Sequence, residues 1–153
     1  MSDKKIVQRV VIGGVIFNKE KKVLILQRSK DEDIFPEMWE LPSGKREFLE
    51  NSESCLMREM KEETGLSNFK IIMPFYVFEY QIEKPEEIRD TTQINFLLKL
   101  LCDEKIKLSS EHQNFAWISR GNTKNLQLSR PVKKAILKAF ELMEKFDLDD
   151  KIK

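Results

Sequence analysis

The chain has 153 residues, the length of one ordinary domain, and it is long enough to bury a hydrophobic core without disulfides. Its 27 basic and 26 acidic residues give a net charge of +1, which excludes the broadly basic surface of a general nucleic-acid-binding protein. Two isolated cysteines, Cys55 and Cys102, and a single histidine argue against a zinc site of the Cys/His type.

The N-terminal segment has no apolar stretch followed by a small-residue cleavage site. No apolar run approaches the ~20 residues that a membrane-spanning helix needs. No linker rich in Pro, Gly or Ser and no internal repeat divides the chain. We therefore expect one cytoplasmic domain, residues 1–153, without a membrane partner.

Hydrophobic patterning predicts the elements of the first half of the chain. Apolar, β-branched segments flanked by polar turns predict strands, and the first two form a hairpin. In chain order these elements are the strand Val7–Phe17, the turn Asn18–Lys22, the strand Val23–Arg28, the loop Ser29–Met38, the strand Trp39–Leu41, a tight turn at Pro42, Ser43 and Gly44, and the helix Ser52–Thr64.

The second half is predicted to contain the strands Phe69–Ile82, Thr91–Cys102 and Phe115–Ser119 and a final helix, Pro131–Phe146. This helix carries one apolar stripe, whose natural place is against the sheet and whose alternative place is a homodimer contact. The stripe consists of Val132, Ile136, Phe140 and Met143. The irregular alternation of strands and helices predicts an α/β (α+β) fold with a mixed sheet between helices.

One face of the helix Ser52–Thr64 is acidic. If Arg58 is set at zero on a helical wheel of about 100° per residue, Glu62 lies near 40°, Glu59 near 100° and Glu63 near 140°. Two interpretations fit this face. It is a solvated surface on which Arg58 pairs with Glu62, or it is a site for a hard cation such as Mg²⁺, which takes oxygen ligands.

The segment before the helix favours the cation site. A tight turn at Ser43 and Gly44 can present a backbone carbonyl to a metal. Glu50 adds a further carboxylate, and we expect Arg58 to pair with Glu50 across the loop and to hold the loop and the helix together.

This stretch resembles the box of the Nudix hydrolases, G-x5-E-x7-R-E-U-x-E-E-x-G-U, where U is a bulky apolar residue. All fixed positions are present at the right spacing, and the flanking WELPSGK and the later WIS extend the similarity over most of the domain. The departures are mild, with Met60 at an apolar position and Ser43 where many members have glycine. The matching residues are Gly44, Glu50, Arg58, Glu59, Met60, Glu62, Glu63, Gly65 and Leu66.

The resemblance implies an α/β/α sandwich in which the box forms a loop-helix-loop. It also implies that Glu59, Glu62 and Glu63, with the carbonyl of Ser43, hold Mg²⁺ or Mn²⁺. Either Glu59 or Glu62 is then the general base that activates water. Gly44, Glu50 and Gly65 are implied to have structural roles.

Residues outside the box have weaker assignments. By resemblance to MutT-like members, Glu111 approaches the metal, although a glutamate in an exposed loop is the alternative. Arg28 at a strand end and Arg58 are expected to bind substrate, and Trp39 to stack on it. A surface arginine and core packing are the respective alternatives for Arg28 and Trp39. We assign no chemistry to His112.

The family resemblance implies Mg²⁺-dependent hydrolysis of a nucleoside diphosphate linked to another moiety, with a small nucleotide as substrate. The alternative function is a non-catalytic Nudix-fold module that binds or senses a nucleotide. Ser129 stands where some members use an asparagine to read an oxidised guanine, which weakens that substrate assignment.

Overall fold

The computed structural model describes residues 3–152, and in it two long helices cover the two faces of a seven-stranded sheet. The elements are β1 Lys5–Phe17, β2 Val23–Arg28, β3 Trp39–Glu40, β4 Ser43–Lys45, α1 Ser52–Thr64, β5 Phe69–Glu83, β6 Glu87–Leu100, β7 His112–Ile118, a 3-10 helix Arg120–Asn125 and α2 Arg130–Ile152. Within the described residues, no helix is long and apolar enough to cross a membrane.

The sheet is mixed, as the sequence predicts. Its main order is β3-β2-β1-β6-β5, with β4 paired to β1 and β7 to β2. The central strand β1 runs parallel to β6 over its whole length and antiparallel to β2 and β4. The second half of β1 is apolar on both sides because both faces of the sheet are covered by helices at that point.

Each of the two helices covers a separate hydrophobic core on its face of the sheet. On one face, Leu56 and Met60 of α1 are fully buried against strand residues that include Ile16. On the other face, Ile136 and Phe140 of α2 pack over the opposite sides of the same strands. Each fully buried side chain of this size contributes roughly 1.5–3 kcal/mol. The α/β/α sandwich is confirmed.

The apolar stripe of α2 faces the sheet. Val132, Ile136 and Phe140 are buried, and Met143 packs against the same core. The phenyl rings of Phe140 and Phe17 meet edge to face with centroids 5.2 Å apart. The alternative of a homodimer contact through this stripe is therefore wrong, since the protein's own sheet already covers it.

The structure corrects four stretches of the prediction. Residues 43–45 form strand β4 rather than a tight turn, because they satisfy the edge of β1 that β2 leaves open. Strand β6 begins at Glu87, four residues before the predicted start, because its charged first residues pair with the equally polar start of β1. Strand β7 begins at His112 and α2 at Arg130, and each starts before its predicted first residue.

Candidate active site

Helix α1 is capped at both ends. The side chain of Asn51 caps the first turn by accepting a hydrogen bond from the Ser54 amide at 2.8 Å. Gly65 ends the helix in the left-handed conformation, with φ of 78°, and its N–H donates to the Lys61 carbonyl. With its ends fixed in this way, α1 contacts β4 and places its acidic face next to that strand.

Glu63 is the most deeply buried carboxylate of this face. The amide of Ser43 donates a hydrogen bond of 2.7 Å to Glu63 Oε1. Burial, together with three nearby carboxylates, raises the pKa of Glu63 to about 9. These carboxylates belong to Glu40, Glu59 and Glu111. A cation between these groups would remove the repulsion.

Glu59 lies directly over Gly44. A β-carbon at position 44 would stand 1.8 Å from the carboxyl carbon of Glu59, so only glycine leaves room for this carboxylate. Arg58 Nη1 donates to Glu59 Oε1 at 2.7 Å. Burial and, to a lesser degree, the charges of Glu62 and Glu111 raise the pKa of Glu59.

Arg58 joins the loop to the helix, as the sequence predicts. Its Nε and Nη2 bind the two oxygens of Glu50, each at 2.9 Å, and Nη2 also donates to the Lys45 carbonyl at 3.1 Å. The hydrogen bonds from Arg58 lower the pKa of Glu50 to about 2. Arg58 is thus engaged with the protein itself, and Glu62 lies 3.6 Å from its Nη1 with its own side chain 57% exposed.

His112, which the sequence analysis leaves without a role, is buried next to two carboxylates. Its Nε2 lies 2.8 Å from Glu40 Oε2, and its Nδ1 lies 3.8 Å from Glu63 Oε2 without a hydrogen-bond partner. The imidazole therefore stands between Glu40 of strand β3 and Glu63 of the box. The feature of the sequence that could have indicated this role is the position of His112 directly after Glu111, at the start of a strand.

A cavity of about 490 Å³ opens beside these carboxylates. Arg28, Trp39 and Glu111 all line it, together with Ser43, Gly44 and Glu63. Arg28 is held by the Ile34 carbonyl at 2.8 Å and by Glu32 and Glu40 at 3.4 and 3.3 Å. Trp39 also packs on the core beneath α2, and the side chain of Glu111 is exposed. The cavity therefore unites the residues predicted outside the box with the box itself.

The donor set fits a hard divalent cation. The side chains that converge on this end of the cavity are carboxylates, which are ligands that Mg²⁺ and Mn²⁺ prefer. Within residues 3–152, no three potential ligands come close enough together to hold a metal in this conformation, because Glu59 turns to Arg58 and Glu63 to the Ser43 amide. Ser43 has an ordinary negative φ, so serine is unstrained at this position.

Comparisons with known proteins identify the family of the chain. The model of the NUDIX domain matches residues 7–140. An RNA pyrophosphohydrolase of Ruthia magnifica subsp. Calyptogena magnifica is 31% identical over 150 residues, covering 86% of this chain and 80% of that protein. Nucleoside triphosphatase NudI of Enterobacter sp. (strain 638) is 26% identical over 127 residues, covering 80% of this chain and 89% of the relative.

Among solved structures, the dihydroneopterin triphosphate pyrophosphohydrolase of E. coli is similar, with a TM-score of 0.70 and 26% identity. That match covers 84% of this chain and 92% of the other. The matched family model spans the whole box, all residues that line the cavity, helix α1 and the first half of α2. The chain belongs to the NUDIX family.

Proposed function

We propose that this protein is a Mg²⁺-dependent hydrolase of a nucleoside diphosphate linked to another moiety, acting in the cytoplasm on a small nucleotide-type substrate. The observation that carries the proposal is the buried carboxyl group of Glu63 in the wall of a cavity large enough for such a substrate, with the half-buried Glu59 over Gly44 of the same wall. Mn²⁺ has similar ligand preferences and can replace Mg²⁺ at such a site.

The residues of the box hold the metal, and the rest of the cavity holds the substrate. Glu59, Glu62, Glu63 and Glu111 are the carboxylate ligands in this proposal, with the carbonyl of Ser43. A bound divalent cation neutralises the diphosphate and lowers the pKa of an attacking water. Glu59 or Glu62 accepts the proton of that water.

The names of the relatives support cleavage of a diphosphate bond. They include an RNA pyrophosphohydrolase, a nucleoside triphosphatase and a dihydroneopterin triphosphate pyrophosphohydrolase. Their substrates differ in everything except the phosphate chain. They therefore support the reaction type that we propose and leave the choice of substrate to the residues of the cavity.

The alternative, a binding module without catalysis, has less support. Such a module has no need to retain buried carboxylates, which destabilise the folded chain. Here every carboxylate of the box is present, and Gly44 keeps the space into which Glu59 fits.

The test is Mg²⁺-dependent hydrolysis of a panel of nucleoside triphosphates, nucleotide sugars, dinucleoside polyphosphates and 5′-triphosphorylated RNA. Glu62→Gln should lower turnover at least about 100-fold, and Glu53→Gln, an exposed glutamate on the first turn of the same helix, should not. Folded protein that cleaves none of these substrates with Mg²⁺ or Mn²⁺ would contradict the proposal.

A further inference from the structure

Arg9 has an unusual environment in the cavity, because one buried polar atom of its side chain lacks a hydrogen-bond partner. It lies on β1 and lines the cavity, and its Nε is buried without a hydrogen-bond partner. Its guanidinium forms no ion pair with any residue of the described range 3–152. Arg9 as a whole is half-buried, and its charge also acts on Glu87, whose pKa it helps to lower. A buried N–H group without an acceptor is nevertheless rare in folded proteins, because burial removes its hydration without replacement. A ligand that enters the cavity can supply the missing acceptor.

The register of the sheet places Arg9 far from the metal ligands. Gly13 pairs with Ser43, the residue whose amide binds Glu63. Arg9 lies four residues earlier on the same strand, which corresponds to about 13 Å at the usual rise per residue. Arg9 thus stands beside Thr91 at the end of the cavity opposite the carboxylates.

Two other cations, Arg89 and Lys84 from the hairpin of β5 and β6, also line the cavity. Arg89 uses its Nε for Glu87 at 2.7 Å, and Glu87 itself does not line the cavity. The lining carboxylates come from the loop after β2 and from the metal end, and they are Glu32, Asp33, Glu40, Glu63 and Glu111. The metal end also has the cations Arg28 and Lys45, whereas the end that carries Arg9, Arg89 and Lys84, the basic end, has no lining carboxylate within the described part of the chain.

We infer that the basic end binds a second phosphate group of the substrate, separate from the diphosphate that is cleaved. This inference rests on the proposed function and narrows its substrate class. A guanidinium matches two phosphate oxygens with parallel hydrogen bonds, and a phosphate would give the buried Nε of Arg9 an acceptor of opposite charge. A neutral base edge offers Arg9 acceptors but no charge, so it explains the three cations that line this end of the cavity less well.

The experiment uses substrate pairs that differ only in a second phosphate. Suitable pairs are coenzyme A with dephospho-coenzyme A, NADPH with NADH, and a 5′-triphosphorylated dinucleotide with ATP. The member with the second phosphate should have the higher kcat/KM, by at least about 10-fold, in at least one pair. The pair that responds shows whether the phosphate is carried by the ribose or joins two nucleotides.

Arg9→Met should reduce this preference to less than about twofold and leave kcat/KM for the member without the second phosphate nearly unchanged. Arg9→Lys keeps the positive charge but loses the pair of parallel N–H donors of the guanidinium, so this variant should keep part of the preference for the second phosphate. Arg120→Met is the matched control, because Arg120 pairs with Glu144 on the surface, away from the cavity. Thermal unfolding of each variant separates lost binding from lost folding.

Three results would overturn the inference. The first is that the wild type shows no preference within any pair. The second is that Arg9→Met lowers kcat/KM equally for both members of a pair. The third is that Arg9→Met removes a preference for GTP over ATP, which would assign Arg9 to the recognition of a base edge. Calorimetric binding of adenosine 3′,5′-bisphosphate and of AMP repeats the comparison without catalysis. A preference for the bisphosphate that depends on Arg9, in protein that hydrolyses nothing, would contradict the proposed function alone.

Discussion

Gly44→Ala is the smallest change that should disable the carboxylate site. The new β-carbon would stand 1.8 Å from the carboxyl carbon of Glu59 and 2.1 and 2.2 Å from its oxygens. Ordinary contact begins at 3.4 Å, so the carboxyl group must move by at least about 1.6 Å (3.4 − 1.8). A displacement of 1 Å at a catalytic group can cost about 100-fold in rate.

The fold should survive this substitution. The Glu59 carboxylate is the end of a flexible side chain, so it can turn away while β4 and α1 stay in place. We expect kcat/KM for Mg²⁺-dependent hydrolysis to fall at least about 100-fold, or about 2.7 kcal/mol. The Tm should change by less than about 4 °C, and the Mg²⁺ concentration for half-maximal activity should rise.

Gly121→Ala is the control, because a β-carbon at position 121 meets nothing within 4 Å. It should match the wild type in both activity and Tm. Wild-type turnover by Gly44→Ala would refute the placement of Glu59 in the site. A large loss of Tm in Gly44→Ala would show instead that the backbone of β4 cannot adjust, and the activity loss would then have a structural cause.

Four further predictions follow from individual side chains. Because the pKa of Glu63 is raised to about 9, stability is highest below the ordinary carboxyl value of 4.5 and is lost as pH rises toward 9. The metal-free Glu63→Gln variant should therefore have a Tm on the order of 5–10 °C above that of the wild type at pH 8 and the same Tm as the wild type at pH 4. The variant should also be inactive. A Tm below that of the wild type at pH 8 would contradict the burial argument. Glu111→Gln should lower turnover more than about tenfold at unchanged Tm, since its side chain is exposed and lines the cavity; wild-type turnover would remove Glu111 from the site. His112→Gln should weaken activation by Mg²⁺ roughly 10–100-fold, because the imidazole contacts Glu40 and adjoins Glu63; an unchanged Mg²⁺ titration would make the contact purely structural. Reversing Glu50 and Arg58 together should restore only part of the Tm lost by either reversal, because Arg58 also binds Glu59; no recovery at all would show that the pairing does not hold the loop.

The sequence predicted the loop-helix-loop closely because its determinants are local. The bounds of the helix Ser52–Thr64 are correct, since Asn51 and Gly65 fix its ends through contacts within one turn. The pairing of Arg58 with Glu50 was also predictable, because both residues face the same short loop. Neither feature depends on where the rest of the chain lies.

Long-range packing decided the features that the sequence did not predict. A helical wheel treats Glu62 and Glu63 as members of one face, whereas the sheet buries Glu63 and leaves Glu62 in solvent. The strand at residues 43–45 exists only because β1 offers an open edge. His112 gains its place between Glu40 and Glu63 from the pairing of β7 with β2, which no local pattern specifies.

Burial decides between the two interpretations of the acidic face of α1. A solvated face requires exposed carboxylates, yet the side chains of Glu59 and Glu63 are only 12% and 7% exposed. Burying like charges together destabilises the folded chain, and the core gains nothing from them that an apolar residue would not supply better. The raised pKa of Glu63 is the response of the metal-free protein, which keeps this carboxyl group protonated near neutral pH. A divalent cation bound between the carboxylates would reverse this effect and let Glu63 ionise, so the burial favours the proposed metal site over a solvated face.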